Sequence, residues 1–225
     1  MFNNMLMGAA GESIKSTGGF QVSNSLLFND ATPDYLGIAV DTDDEWDGPD
    51  PTSVRQFTVS FWVKRAEISD NANLILGQQG ASGVTDKVFR DPHAWYHIHF
   101  SMNSNTIGDN SCRLYVNGVE ETSFSTKTNP TAASTGAKPD LGFLNKTKPF
   151  YIGRFYTSTS TTLDGYLAQL VVIDGRDLAP TDITGQFDSN GVWQPVDITT
   201  TLKDNLTLKK SDRTAGTAIG DMTNT

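Results

Sequence analysis

The sequence predicts an all-β chain, an antiparallel β-sandwich, and three observations carry that expectation. Short apolar runs alternate with a period of two, turn residues interrupt them throughout, and no amphipathic helical stretch lies between them. The composition of the 225 residues points the same way. Five glutamates stand against 21 aspartates, and Ser, Thr and Gly are abundant. Asp, Asn and Gly favour turns, β-branched residues favour strands, and the strong helix formers are scarce.

The elements follow in chain order. Residues 1–19 (MFNNMLMGAAGESIKSTGG) show neither a helical nor a strand period and are set apart as an N-terminal arm, a frayed tail being the alternative to a partner-docking segment. They carry no basic leading stretch, and residues 5–10 are too short for a secretory hydrophobic segment. An arm that orders only against a partner would hold it through Phe2, Met5, Leu6 and Met7. Residues 25–28 (SLLF) and 35–40 (YLGIAV) then flank the turn segment 29–34 (NDATPD). Residues 56–64 (QFTVSFWVK) form the clearest strand. Phe57, Val59, Phe61 and Val63 share one face and Thr58, Ser60, Trp62 and Lys64 the other, which predicts a half-buried strand.

A shorter strand is expected at 73–77. Residues 94–101 alternate again, with Tyr96, Ile98 and Phe100 on one side and His97 and His99 on the other. Residues 113–116 and 119–124 are the arms of a hairpin, because Asn117-Gly118 accepts the positive φ angles of a type I′ turn. Residues 125–148 are expected to be a long surface loop. Residues 150–153 and 166–173 are the last strong strands, and Pro180 marks the start of a single helical turn within 179–185. Residues 20–195 thus form the body and 196–225 a C-terminal tail or linker. The absence of a fixed internal period disfavours a propeller or solenoid.

Several function classes are excluded by arithmetic. A net charge of −9 and a pI near 4.7 argue against an electrostatically driven nucleic-acid binder. A single cysteine, Cys112, allows neither an intrachain disulfide nor a Cys-rich metal cluster. No apolar run approaches the roughly 20 residues of a membrane span.

The best site candidate is the acidic run 41–50 (DTDDEWDGPD), where carboxylates repel one another unless solvent or a cation offsets them. Asp41, Asp43, Glu45 and Asp47 are the candidate donors for Ca²⁺, against the alternative of a solvated acidic loop. An EF-hand fails here, because its twelfth position, where a bidentate glutamate is needed, is Val54. Trp46, in the same polar loop, and Tyr156, beside the Ser/Thr run 157–162, are the candidate ring platforms for a sugar. Trp62 and Trp95 read as packing residues, His97 and His99 as polar sheet residues, and Cys112 as a small buried side chain. Glu120 and Glu121 are adjacent, so on a strand they point to opposite faces and cannot form an acid–nucleophile pair.

The ordered run 57–64, 95–100, 113–118, 151–154 (YIGR), 163–170 (LDGYLAQL) and 173–178 (IDGRDL) resembles the concanavalin A-like lectin/glucanase superfamily, in its laminin-G-like jelly-roll branch. It looks like the form found in structural proteins of marine tailed phages, where the closing strand runs into a phrase similar to 187–193 (FDSNGVW). The opening residues 4–10 (NMLMGAA) are similar to starts among phage virion proteins. The resemblance implies a concanavalin A-like jelly roll. The superfamily's enzymes carry a Glu-x-Asp-x-Glu type strand, which this chain lacks. The expectation is therefore a non-enzymatic virion structural protein with no catalytic residues, on a tail fibre, a tail appendage or the capsid surface. A soluble Ca²⁺-dependent glycan-binding lectin is the alternative. The implied partners are other virion proteins through the N-terminal arm, a host-surface glycan and further copies of the chain, within a phage particle.

Overall fold

The computed structural model describes residues 19–29, 34–38, 56–66, 76–77, 83–103, 111–127, 150–154, 162–174 and 176–199. In chain order these form β1 (Leu26–Phe28), β2 (Leu36–Ile38), β3 (Gln56–Arg65), β4 (Leu76–Gly77), β5 (Gly83–Thr85), β6 (Tyr96–Asn103) and β7 (Cys112–Val116). There follow β8 (Val119–Glu120), β9 (Phe124–Lys127), β10 (Phe150–Ile152), β11 (Gly165–Asp174), the helical turn α1 (Pro180–Ile183), β12 (Gly185–Phe187) and β13 (Trp193–Pro195). Every strand pairing among the described residues is antiparallel. A six-stranded sheet runs β1-β11-β3-β6-β7-β8 and a three-stranded sheet β2-β10-β4, with β12-β13 and β5-β9 as two-stranded ribbons. The chain is an all-β sandwich.

The period of two in β3 builds the core. Phe57, Val59, Phe61 and Val63 pack with Phe28, Met102, Ile152, Leu163, Leu167 and Val172, so Ile152 joins the small sheet to the large one. The register stacks apolar residues across three strands: Val59 lies between Phe100 and Val172, and Val63 between Tyr96 and Leu167. Such cross-strand pairs are what stabilise a sheet.

The expectation of a half-buried β3 is corrected. Thr58, Ser60 and Trp62, on the other face, are all at most 1% exposed. The cause lies more than a hundred residues downstream, where the segment 176–198 folds back across that face. Ile183, Leu178 and Ile198 pack on Val171 and Ile173, and Trp193 packs with Trp62, Trp95 and Ala168. The Thr58 hydroxyl anchors the start of this cover by accepting from the Leu178 N–H and donating to the Arg176 carbonyl, both at 2.8 Å. The large sheet is thus sandwiched in turn, by the small sheet on one side and by the cover on the other.

Two local devices make this possible. In β11 the register shifts between Ala168 and Val171, and Gln169 adopts a positive φ of 46°. The bulge leaves both Ala168 and Val171 on the covered face, and the Gln169 side chain donates to the Val196 carbonyl at 3.0 Å. At the β7–β8 tip, Asn117 and Gly118 take φ of 51° and 76°, the turn expected from the sequence. Gly118 is also forced sterically, since a Cβ there would lie 2.3 Å from the Trp193 ring, and one at Gly185 would meet the same ring at 2.3 Å. Trp193 is seated against two backbones stripped of side chains.

The expected helical turn is present as α1, where the Asp182 carboxylate accepts the Ala179 N–H at 2.9 Å. Residues 125–148 are not loop throughout, because 124–127 pair with β5. The β12–β13 ribbon also goes beyond what the sequence predicted.

Replacing Trp193 with Ala removes the largest side chain of the cover, and urea unfolding followed by circular dichroism is expected to show a loss of roughly 3–5 kcal/mol. Gly185→Ala should also destabilise, because the new methyl overlaps the indole. A loss below about 1 kcal/mol for Trp193→Ala would mean that the cover does not hold the sheet.

Candidate functional site

The open end of the small sheet holds an arginine between two tyrosines. Tyr151 opposes Gly37 and Ile152 opposes Leu36, so Tyr35, just before β2, lies beside the end of β10. Gly153 then turns the chain at φ 91°. A Cβ there would sit 2.6 Å from the Phe28 ring and 3.1 Å from the Asp34 carbonyl, so only glycine fits. The left-handed step breaks the strand's alternation and brings Arg154 alongside Tyr151 instead of on the opposite face. The guanidinium carbon lies 3.9 Å from the centroid of the Tyr35 ring and 4.2 Å from that of Tyr151. The two rings meet edge-on at 5.5 Å with an interplanar angle of 81°. Tyr35 is 45% exposed, whereas Tyr151 and Arg154 are half-buried. Arg154 Nε is buried and meets no acceptor among the described residues. An exposed ring with a cation pinned behind it can stack on the apolar face of a ligand while donating hydrogen bonds to it.

A second cluster is sealed. Along β6, His97 and His99 are wholly buried beneath the cover. His97 Nε2 lies 2.8 Å from Ser60 Oγ, and its ring packs between Trp62 and Trp193 at 5.0 and 5.4 Å. A serine hydroxyl at that distance from an imidazole has the spacing of a nucleophile and its base. No substrate can approach it, however, with both residues at most 1% exposed. His99 Nε2 lies 2.8 Å from the Leu178 carbonyl, which only accepts, so this nitrogen carries the proton. Its Nδ1 faces the Thr184 hydroxyl at 3.2 Å. Burial pushes the His97 pKa down to about 3, helped by the neighbouring His99. Burial likewise lowers His99 to about 4 against the pull of the Leu178 carbonyl and of Asp182, with Arg113 adding to the lowering. Both rings are neutral at pH 7 and bind the cover to the sheet.

A third feature is a small apolar cleft of about 190 Å³ beside the β11 bulge, lined by Leu26, Leu36, Ile152, Leu167 and Leu170 with Asn24 and Ser25 at its edge. It offers space and almost no polar chemistry.

The residues singled out by sequence fall unevenly. Trp46, Tyr156, Asp41, Asp43, Glu45 and Asp47 lie outside the described residues, as do Phe2, Met5, Leu6 and Met7. Among the described residues no group of three or more His, Cys, Asp or Glu is placed to hold a metal. None of the helices there is long and apolar enough to cross a membrane. Trp62 and Trp95 are packing residues and Cys112 is buried, its thiol pKa raised by burial, as expected. The Tyr35–Arg154–Tyr151 stack was missed. Its available signal was Gly153 at a strand end, immediately followed by an arginine.

No protein-family model matches the chain, and no curated protein matches it. Among solved structures it is similar to domain 4 of AbnA, a GH43 extracellular arabinanase from Geobacillus stearothermophilus, in complex with arabinotriose. That likeness has 13% identity and a TM-score of 0.39, over 83% of this chain and 78% of that one. It is also similar to Trypanosoma rangeli sialidase in complex with sialic acid, at 16% identity and a TM-score of 0.43, over 73% of this chain. A second structure of that sialidase matches at 20% identity and a TM-score of 0.36, over 55% of this chain. The matches span 27% and 21% of the sialidase chains. Neither family nor activity is carried over from likenesses of this size. They do correct the expectation that the chain is not an enzyme, since these neighbours belong to glycan-cleaving proteins. The exclusion rested on a missing glutamate pair, and that test is too narrow, because not every glycosidase works through two carboxylates.

The buried histidines fix the pH response. Their folded pKa values lie below the ordinary 6.5, so as pH falls the unfolded chain takes up protons first. The stability they allow is intact above pH 6.5 and is lost progressively towards pH 4 and 3. Melting temperature measured against pH should drop over that window, and His97→Gln should flatten the curve. A wild-type curve that stays level from pH 6.5 to 4 would contradict the neutral, buried pair.

Proposed function

We propose that this chain is a glycan-contacting jelly-roll module of the concanavalin A-like type, serving as a structural component of a phage particle. The observation that supports glycan contact is the exposed Tyr35 ring backed by Arg154 and Tyr151. The closure of the large sheet's outer face by residues 176–198 leaves the rim of the small sheet as the better candidate for a ligand. The virion assignment is supported by the resemblance of residues 187–193 and 4–10 to phage structural proteins. In this reading residues 1–19 dock on other virion proteins, the jelly roll meets a host-surface glycan, and several copies assemble together.

The sugar half is tested on a panel of immobilised oligosaccharides. At least one should retain the wild-type chain, and Tyr35→Ala should weaken that retention about tenfold or more, in keeping with a lost stacking contact of about 1.4 kcal/mol. Retention by none, or equal retention of the variant, would rule it out. The virion half is tested by deleting residues 1–19. The sandwich is expected to melt as before while incorporation into particles, followed by mass spectrometry, disappears; normal incorporation removes the anchoring role.

A further inference from the structure

We propose that the ligand of this rim is a carboxylate-bearing sugar, a uronate or sialate, with Arg154 donating to its carboxylate while Tyr35 stacks on its ring. The inference rests on the glycan-contact reading above and narrows it to a chemical class.

Three observations carry it. The Arg154 guanidinium is fixed by two aromatic rings at 3.9 and 4.2 Å, so little side-chain freedom remains to be lost on binding. Its Nε is buried and has no hydrogen-bond partner among the described residues, in a chain whose net charge is −9. Arg113, by contrast, is paired with Asp177 at 3.3 Å. The carboxylate of Asp34, next to Tyr35 in the chain, accepts the Asn29 N–H at 3.2 Å. A partly desolvated cation without an acceptor is costly, and a ligand oxygen would remove that cost. Finally, the group is a planar fork of donors, whose geometry matches the two oxygens of a carboxylate. A neutral hydroxyl would use the fork poorly. The overall negative charge does not forbid an anionic ligand, since repulsion from distant carboxylates is screened beyond roughly 10 Å at 0.1 M salt.

The test titrates the full chain with glucuronate, glucose, glucose 6-sulfate and acetate, following the shifts of the tyrosine ring signals by NMR. Glucuronate is expected to bind at least tenfold more tightly than glucose, with the sulfate and acetate weaker than glucuronate. Arg154→Met should bring glucuronate down to the level of glucose, and Tyr35→Ala should weaken both sugars. Arg154→Lys keeps the charge without the fork and should lose most of the preference; it also decides the matter if the Met variant fails to melt like the wild type. Equal binding of glucose and glucuronate, unchanged in both Arg154 variants, overturns the carboxylate assignment while glycan contact stands. Sulfate binding as tightly as glucuronate overturns it too, because any anion then suffices. Acetate equal to glucuronate removes the sugar from the proposal; no binding of glucuronate overturns the carboxylate assignment, and the glycan-contact reading falls with it only when the oligosaccharide panel retains nothing either.

Discussion

The seating of Trp193 on the outer face of the large sheet is the contact on which the other features depend. Its ring rests on the backbones at Gly118 and Gly185 and against the His97 ring, and it joins Trp62 and Trp95 in one cluster. Without it the β12–β13 ribbon has little reason to lie where it does, and β3 and β6 would present Ser60, Trp62, His97 and His99 to water. With it, a sheet that began as a two-faced strand pattern becomes an interior layer. That interior is unusual in being polar along one seam, and it is tolerable because hydroxyl, imidazole and carbonyl groups meet there: Ser60 with His97, His99 with Leu178 and Thr184, and Thr58 with Arg176 and Leu178. Buried polar groups are kept when they are paired; the Thr58 and His99 contacts also fix the position of the cover, while Ser60 and His97 tie β3 to β6.

The consequence for function is a division of labour between the two sides of the molecule. The residues with the richest chemistry, the two histidines and the serine, are locked inside and hold the architecture. The residues at the small sheet's end, an exposed phenol backed by a half-buried phenol and guanidinium, are chemically simpler. Their arrangement is set by one left-handed glycine and by the pairing of β2 with β10. The cluster therefore owes its geometry to the backbone and its chemical character to three side chains.

Much of the architecture was legible in the sequence. The alternation of Phe57, Val59, Phe61 and Val63, the Asn117-Gly118 turn and the helical start at Pro180 are local patterns, and local patterns survive into the fold. The burial of Thr58, Ser60 and Trp62 was not legible, because it is imposed by a segment about 120 residues away, and no local period reports such a contact. His97 and His99 read as polar sheet residues, and the cover that buries them went unseen for the same reason. The Tyr35–Arg154 contact was hidden similarly, since its partners are separated by more than a hundred positions and meet only through strand pairing. The acidic run 41–50 was conspicuous because its signal is compositional, and composition says little about position.

The late position of the cover along the chain sets the order of assembly. During synthesis, β3 and β6 emerge long before residues 176–199, and until those arrive the sheet carries a broad aromatic and imidazole-bearing surface with nothing on it. Pairings across such a span make folding slow, and a nascent or truncated chain would be prone to associate through that bare surface. A molecule built this way is vulnerable before completion and shielded after it.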